Sequence, residues 1–273
     1  MSNITFITHL RYDHDDRIKN LQTVINFYST NFPEAHFIFV EDDVNHNDKF
    51  DSIEWPKKRT SFFLIKNAGY YYRTRALNYG ILEAKTPIVV SLDTDCIVSI
   101  NSFNRCVNEL LNDATVAWPY NGFFIDTSHY LHDRFIQNSY SYDYLLNLLP
   151  DVGTLQLGYN YGEFSVRCTN TIHQSVGGIV MFNRDRFLEM GGYNERFVCW
   201  GAEDNELVHR CDILKHKKYR VSDLDAVCFH LYHRSATRNQ HPFYQSNFDE
   251  ANKVASMSKE ELTSYIKTWK HLK

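Results

Sequence analysis

Pro87-Ile88-Val89-Val90-Ser91-Leu92-Asp93-Thr94-Asp95 is the stretch whose reading decides the fold. A proline opens it, a continuous run of β-prone side chains follows, and two aspartates close it. A short run of this kind reads as a strand buried on both faces, as in a parallel sheet covered by helices. The same unit repeats outward from it. Ile4 to Leu10 is an apolar, β-rich strand, and His36-Phe37-Ile38-Phe39-Val40 is another, ending in Glu41-Asp42-Asp43. Between them, Asp15 or Asp16 caps a helix whose inner face is Ile18, Leu21, Ile25 and Tyr28. Ser61 to Ile65 is a short strand, and Arg75 to Ala84 is a helix with Ala76, Leu77, Gly80, Ile81 and Ala84 on one side. Beyond Asp95 a capped helix turns Phe103, Val107, Leu110 and Leu111 inward. This alternation predicts an α/β fold with a mostly parallel central sheet.

The second half is less regular. One helix is expected near Leu131 to Leu149, strands at Val176 to Phe182 and Ala226 to Leu231, and a turn at Gly191-Gly192. Glu203 to Leu214 reads as a helix with Leu207, Cys211 and Leu214 aligned, and Ser258 to Glu261 as a capping box opening a last helix. Neither repeats nor a linker interrupt the chain, so residues 1–273 read as one domain.

Composition sets outer bounds. The chain has 273 residues, of which 43% are hydrophobic, and a formal net charge of −4, which gives no sign of a nucleic-acid binder. Aromatic residues reach 15%, a content that suits sugar rings and bases although most should fill the core. The six cysteines show no C-x-x-C spacing and read as reduced, which points to a cytoplasmic protein. Met1-Ser2-Asn3-Ile4-Thr5-Phe6 reads as the approach to a first strand rather than a signal peptide. No apolar run reaches the roughly 20 residues that span a bilayer, so peripheral membrane association would come through a partner.

Three groups of residues carry chemistry. Asp93 and Asp95 lie where a buried strand ends, which is where open α/β sheets bind ligands. Two carboxylates one residue apart can hold one hard cation, and a cation there can neutralise a diphosphate. The plainer reading is a loop aspartate capping the next helix. The second group is Trp200-Gly201-Ala202-Glu203-Asp204-Asn205-Glu206, with an indole beside a tight turn that could serve as a sugar platform. The third is His230-Leu231-Tyr232-His233-Arg234, after a late strand.

The second group resembles the W-G-x-E-D segment of inverting galactosyl- and N-acetylgalactosaminyltransferases, the family 2 and family 7 group that includes animal β-1,4-galactosyltransferases and bacterial chondroitin polymerases. Gly177-Gly178 and Phe187 to Glu195 resemble that group's approach to the motif. The likeness runs through most of the chain, most strongly at 73–97 and 176–210. It implies the GT-A fold, a UDP-sugar donor with galactose or N-acetylgalactosamine favoured, and a carbohydrate or glycoconjugate acceptor, as in polysaccharide biosynthesis. Residues 1–119 would form the nucleotide-binding half and 120–273 the acceptor-binding and catalytic half.

Residue by residue, the resemblance makes Asp204 the general base and gives Glu203 a sugar or acceptor contact, with the reverse assignment as the alternative. Position in the first turn of a helix would keep Asp204 ionised. The H-x-x-H pattern implies His233 as metal ligand beside Asp93 and Asp95, with His230 a second candidate that need not bind together with it. Nitrogen and oxygen ligands suit Mn²⁺, with Mg²⁺ possible. Arg11 and Asp42, after the first two strands, are expected at the donor's base or ribose, and Gly178 and Trp200 at the donor. Arg73 or Arg75 would pair with phosphate or with Asp93. The 120–167 segment has no counterpart and falls to acceptor recognition by elimination. Ala202 and Cys199 depart from the group's usual glycine and tryptophan, which leaves the sugar open. Two other readings stand beside this one: a non-catalytic sugar- or nucleotide-binding scaffold derived from a transferase, and a nucleotidyltransferase. The second lacks its glycine-rich loop, since Thr8 to Asp13 holds no glycine.

Overall fold

The computed structural model describes residues 3–56, 58–171, 173–234, 241–269 and 271, so Met1 and Ser2 lie outside it. In the first half, strands β1 (Ile4–Leu10), β2 (His36–Asp43), β3 (Thr60–Lys66) and β4 (Ile88–Leu92) alternate with helices α1 (Asp15–Asn31) and α2 (Arg73–Glu83). The short β5 (Cys96–Ile97), helix α3 (Ile100–Asn112) and β6 (Val116–Trp118) follow. Then come β7 (Phe124–Thr127), α4 (His129–Gln137), α5 (Tyr142–Leu148), β8 (Asn160–Tyr161), β9 (Phe164–Cys168) and β10 (Ile179–Asn183). The chain continues through α6 (Arg184–Glu189), α7 (Glu203–Leu214), β11 (Lys218–Arg220), β12 (Cys228–His230), α8 (Tyr244–Ala255) and α9 (Lys259–Ile266).

Two sheets result. The larger has the order β11-β6-β10-β4-β1-β2-β3 and the smaller β5-β12-β7-β9-β8. In the larger, β1 pairs in parallel with β2 and β4, β2 with β3, and β6 with β11, while β10 runs antiparallel to both its neighbours. The expected α/β, mostly parallel sheet is what the chain forms. Its core is aromatic: the Phe6 ring sits 5.0 Å from Tyr28, 5.1 Å from Phe37 and 5.6 Å from Phe103. Burying each such ring contributes about 1.5–3 kcal/mol. Helix α2 presses close to β1, since a Cβ on Gly80 would come 2.4 Å from Ile7 Cγ2.

Several local expectations change. The α1 cap is His14, whose ring accepts from the Asp16 amide, because Asp15 and Asp16 already lie inside the first turn. On α3 Leu111 is exposed, and Cys106 takes the inward position with Phe103 and Leu110. The single helix near 131–149 is two, broken where Ser139 and Tyr140 adopt positive φ. The strands predicted from Val176 and Ala226 begin later, at Ile179 and Cys228. The capping box at Ser258 and Glu261 is present. Among the described residues, no helix is long and apolar enough to cross a membrane.

The second sheet positions the chemistry. The chain leaves β4 at Leu92, crosses Asp93-Thr94-Asp95 and enters β5, where Cys96 faces His230 of β12 across an antiparallel pair. The Leu231 amide donates to the Asp95 carbonyl at 2.8 Å. That pairing brings a late histidine to an early aspartate. On the other side, β10 lies antiparallel to β4, and the Asp93 amide donates to the Gly178 carbonyl at 2.8 Å.

Candidate active site

A cleft of about 600 Å³ opens at the ends of β1 and β4. It is lined by residues of all three groups, among them Asp93, Asp95, Trp200, Glu203, Asp204, His230 and His233.

At one end, Asp95, His230 and His233 bring one ligand atom each to within 4.8 Å of one another. His230 Nε2 lies 3.4 Å from Asp95 Oδ1, and His233 Nε2 lies 3.4 Å from Asp95 Oδ2. The Nδ1 of His233 faces the Arg234 carbonyl at 2.8 Å and that of His230 faces Asp126 Oδ1 at 2.8 Å. Both acceptors lack a proton, so both Nδ1 atoms donate, and both Nε2 atoms turn toward Asp95. A buried carboxylate facing two imidazole Nε2 atoms, each of which offers a lone pair once its proton is displaced, fits a divalent transition-metal ion. Both histidines reach Asp95, where the sequence had left open whether the two would act together. Burial by itself would raise the Asp95 carboxyl pKa, but His230, Arg17 and His233 outweigh it and hold the group below its usual range. Burial likewise opposes charge on His230, yet Asp95 and Asp126 raise its pKa. Burial wins at His233, whose pKa is lowered, so the positive charge beside Asp95 gathers on the His230 and Arg17 side. Arg17 Nη1, 2.8 Å from Asp95 Oδ2, supplies part of it.

Asp93 stands outside this histidine set. Its Oδ1 accepts from Arg73 Nη2 at 3.0 Å. Arg73 is almost fully buried and also reaches Asp204 Oδ1 at 3.4 Å and Glu203 Oε1 at 3.8 Å. One guanidinium thus links the strand-end aspartate to the first turn of α7. Of the two arginines expected here it is Arg73 that enters the cleft, while Arg75 is exposed outside it.

The turn before α7 is tight. Cys199, Gly201 and Ala202 all have positive φ, at 62°, 132° and 63°. Gly201 carries this conformation freely, whereas Cys199 and Ala202 hold it against the usual preference of L residues. Glu203 Oε2 accepts from the Gly201 amide at 3.1 Å, which bends the carboxylate back onto the turn. Asp204 points the other way, toward Gly177, where a Cβ would come 2.3 Å from its Oδ2. The helix end was expected to keep Asp204 ionised. Instead burial, with Glu203 and Asp93 adding to it, outweighs Arg73 and pushes its pKa up to about 7. A group poised there can accept a proton near neutrality.

The remaining expected residues fall as follows. Gly178, at φ 78°, lines the cleft, and a Cβ there would meet Cys96 Sγ and Phe124 Cε2 at 2.8 Å. Trp200 is 40% exposed on the rim, its ring stacked 6.1 Å from Tyr244. Arg11 lines the cleft and donates to the Gly69 carbonyl. Asp42 is not among the residues that line the cleft. It is fully buried, with Oδ1 accepting from the Asn67 side chain and Oδ2 from the Tyr72 amide, both at 2.7 Å. These bonds tie the end of β2 to the loop that carries Tyr71 and leads into α2 at Arg73. Arg17, Asp126, Arg167, His9 and Tyr71 escaped the sequence reading. His9 is buried against Tyr71, 4.6 Å between ring centres, and burial lowers its pKa to about 3, so it is neutral.

The family model described as glycosyl transferase family 2 matches residues 17–190, well over half the chain. The chain belongs to glycosyl transferase family 2. A second model, described as the N-terminal domain of galactosyltransferase, matches residues 162–234 of this glycosyltransferase, the part that carries Asp204, His230 and His233. Chondroitin synthase of Pasteurella multocida (strain Pm70) is 23% identical over 198 residues, which is 66% of this chain and 20% of that protein. The chain therefore spans about a fifth of that relative. Among solved structures, GalNAc-T7 with UDP, GalNAc and Mn²⁺ matches with a TM-score of 0.60 at 13% identity, over 97% of this chain and 50% of that one. A mutant of Drosophila beta-1,4-galactosyltransferase 7, solved with manganese, UDP-Gal and xylobiose, matches at 0.50 and 12% identity, over 94% and 81%. The fold of this family 2 glycosyltransferase is thus the GT-A fold.

Proposed function

We propose that this glycosyltransferase moves a hexose, galactose or N-acetylgalactosamine, from a UDP-sugar to a saccharide hydroxyl with inversion at the anomeric carbon. The observation that carries the reading is the meeting, in one cleft, of the Asp95, His230 and His233 donor set with Asp204 poised near neutrality. Asp95, His230 and His233 would hold Mn²⁺, or Mg²⁺ in its place. The ion's chemistry would be to neutralise the diphosphate as the bond to the sugar breaks. Half-exposed Asp93, fixed by Arg73, faces the donor beside it, with Arg11 and Gly178 on the donor wall. Asp204 takes the proton of the acceptor hydroxyl. The hydroxyl oxygen then forms its bond to the anomeric carbon, and UDP leaves with the electron pair of the broken bond. Glu203, bent onto its own turn, supports the sugar contact, and Trp200 offers a face to a sugar ring. Residues 1–119 then carry most of the nucleotide contacts, while 120–273 bring the acceptor side and the base together with Gly178 and the two histidines of the donor set. Polysaccharide biosynthesis in the cytoplasm is the setting we favour, supported by six unpaired cysteines.

The test is turnover of a panel of UDP-, GDP- and CMP-sugars with saccharide acceptors and Mn²⁺, with products read by NMR. A β-linked product from an α-linked UDP-hexose is expected. An α-linked product, or turnover confined to GDP- or CMP-sugars, overturns it.

A further inference from the structure

The second sheet sets a carboxylate against the back of the His230 ring. Strand β7 runs parallel to β12 with Asp126 opposite His230. Asp126 is itself clamped by the neighbouring strand β9. Arg167 places Nη2 2.6 Å from Asp126 Oδ1 and Nε 3.0 Å from Oδ2, a two-point fork that fixes the plane of the carboxylate. The same guanidinium lies 5.4 Å from the centre of the Phe124 ring, and Phe124 packs 5.1 Å from His230. The imidazole is thereby held on one edge and one face. Arg167 Nη2 also approaches His230 Nδ1, at 3.4 Å, but Asp126 is nearer at 2.8 Å and accepts only, so it dictates an Nδ1 proton. His233 differs, because its Nδ1 meets the main-chain carbonyl of Arg234, which no substitution removes.

We propose that Asp126, clamped by Arg167, is a positioning residue for the cation: it fixes the tautomer and ring plane of His230 so that Nε2 meets the ion together with Asp95 and His233. The inference rests on the metal site of the proposed function. A carboxylate behind a histidine ligand orients the ring and makes it a stronger donor, and losing such a partner weakens metal binding by roughly 10- to 100-fold. Asp126 touches neither donor nor acceptor in this role. It acts through His230, and Arg167 acts through Asp126.

The experiment titrates MnCl₂, followed by the EPR signal of free Mn²⁺, into the full chain and its Asp95→Ala, Asp126→Ala, Asp126→Asn and Arg167→Met variants, each checked for folding by circular dichroism. Asp95→Ala should abolish binding, and Asp126→Ala should weaken it by roughly 10- to 100-fold. Asp126→Asn, which keeps an oxygen facing Nδ1, should recover most of the loss, and Arg167→Met should fall between. Asp126→Ala that is folded and binds within about twofold of wild type overturns the inference. If Asp95→Ala abolishes binding in that case, only the positioning role fails. If Asp95→Ala binds like wild type, the metal reading falls and takes the inference with it. A second measurement does not depend on any variant. The ¹⁵N shifts of His230 in wild-type protein loaded with diamagnetic Cd²⁺ should show a protonated Nδ1 and a metal-bound Nε2, and the opposite pattern overturns the proposal.

Discussion

Asp204 carries one oxygen 3.4 Å from Arg73 and the other toward Gly177, where no side chain could fit. Burial is the largest influence on it and raises its pKa to about 7, with Arg73 pulling the other way. A base works only when ionised. Below about 7 Asp204 is protonated, so kcat/KM should rise by about tenfold per pH unit and level off above that point. Asp204→Asn should remove this limb and lower kcat by roughly 10² to 10⁴ while donor binding survives. Stopped turnover assays from pH 5 to 9 on both proteins check this, and a variant with wild-type kcat and an unchanged profile would contradict it. Asp95 could be picked out from sequence because it follows the recognisable strand β4, whereas Asp204 and His233 were reached through the resemblance carried by Trp200 to Asp204 and by His230 to His233. Asp126 and Arg17 could be reached by neither route. Their partners, His230 and Asp95, lie 104 and 78 residues away, and no local pattern marks such a meeting.

Helix α7 shows what an element must do to hold the proposed base. Its first turn has no side-chain cap and follows a backbone of positive φ, so it needs an anchor further along. Arg210 is that anchor. Fully buried, it donates to the Met190 and Gly192 carbonyls at 2.8 and 2.7 Å, pairs with buried Glu206 at 3.0 Å and lies over Trp269. Arg210→Met should leave Glu206 as an uncompensated buried charge and cost about 3–5 kcal/mol. Urea denaturation measures it, and Glu206→Gln in the same chain should recover part of the loss. A change below about 1 kcal/mol would mean the anchor lies elsewhere. Elements such as β4 and α7 were legible because their apolar pattern is strong and local, and the bounds of both were read from it. Of the second sheet only β12 was anticipated, within Ala226 to Leu231. Its strands run from two to five residues, too few for a period to register, and its pairings join distant parts of the chain.

At the scale of the whole molecule, the cleft sits where the two sheets meet. The larger sheet supplies Asp93 at the end of β4, and the smaller one swings His230 and Asp126 around to Asp95. A cleft of about 600 Å³ falls within the range that small-molecule sites occupy. Cationic Arg11, Arg17 and Arg73 line it beside the acidic groups, so an anionic donor and its counter-ion can both be accommodated. The central claim is that a divalent cation on Asp95, His230 and His233 carries the donor's diphosphate. Calorimetric titration of UDP into the protein with Mn²⁺, and again with chelator, tests it most directly. The account predicts binding at least roughly tenfold tighter with Mn²⁺, and loss of that gain in a folded Asp95→Ala variant. Equal UDP affinity in Mn²⁺ and in chelator would contradict it.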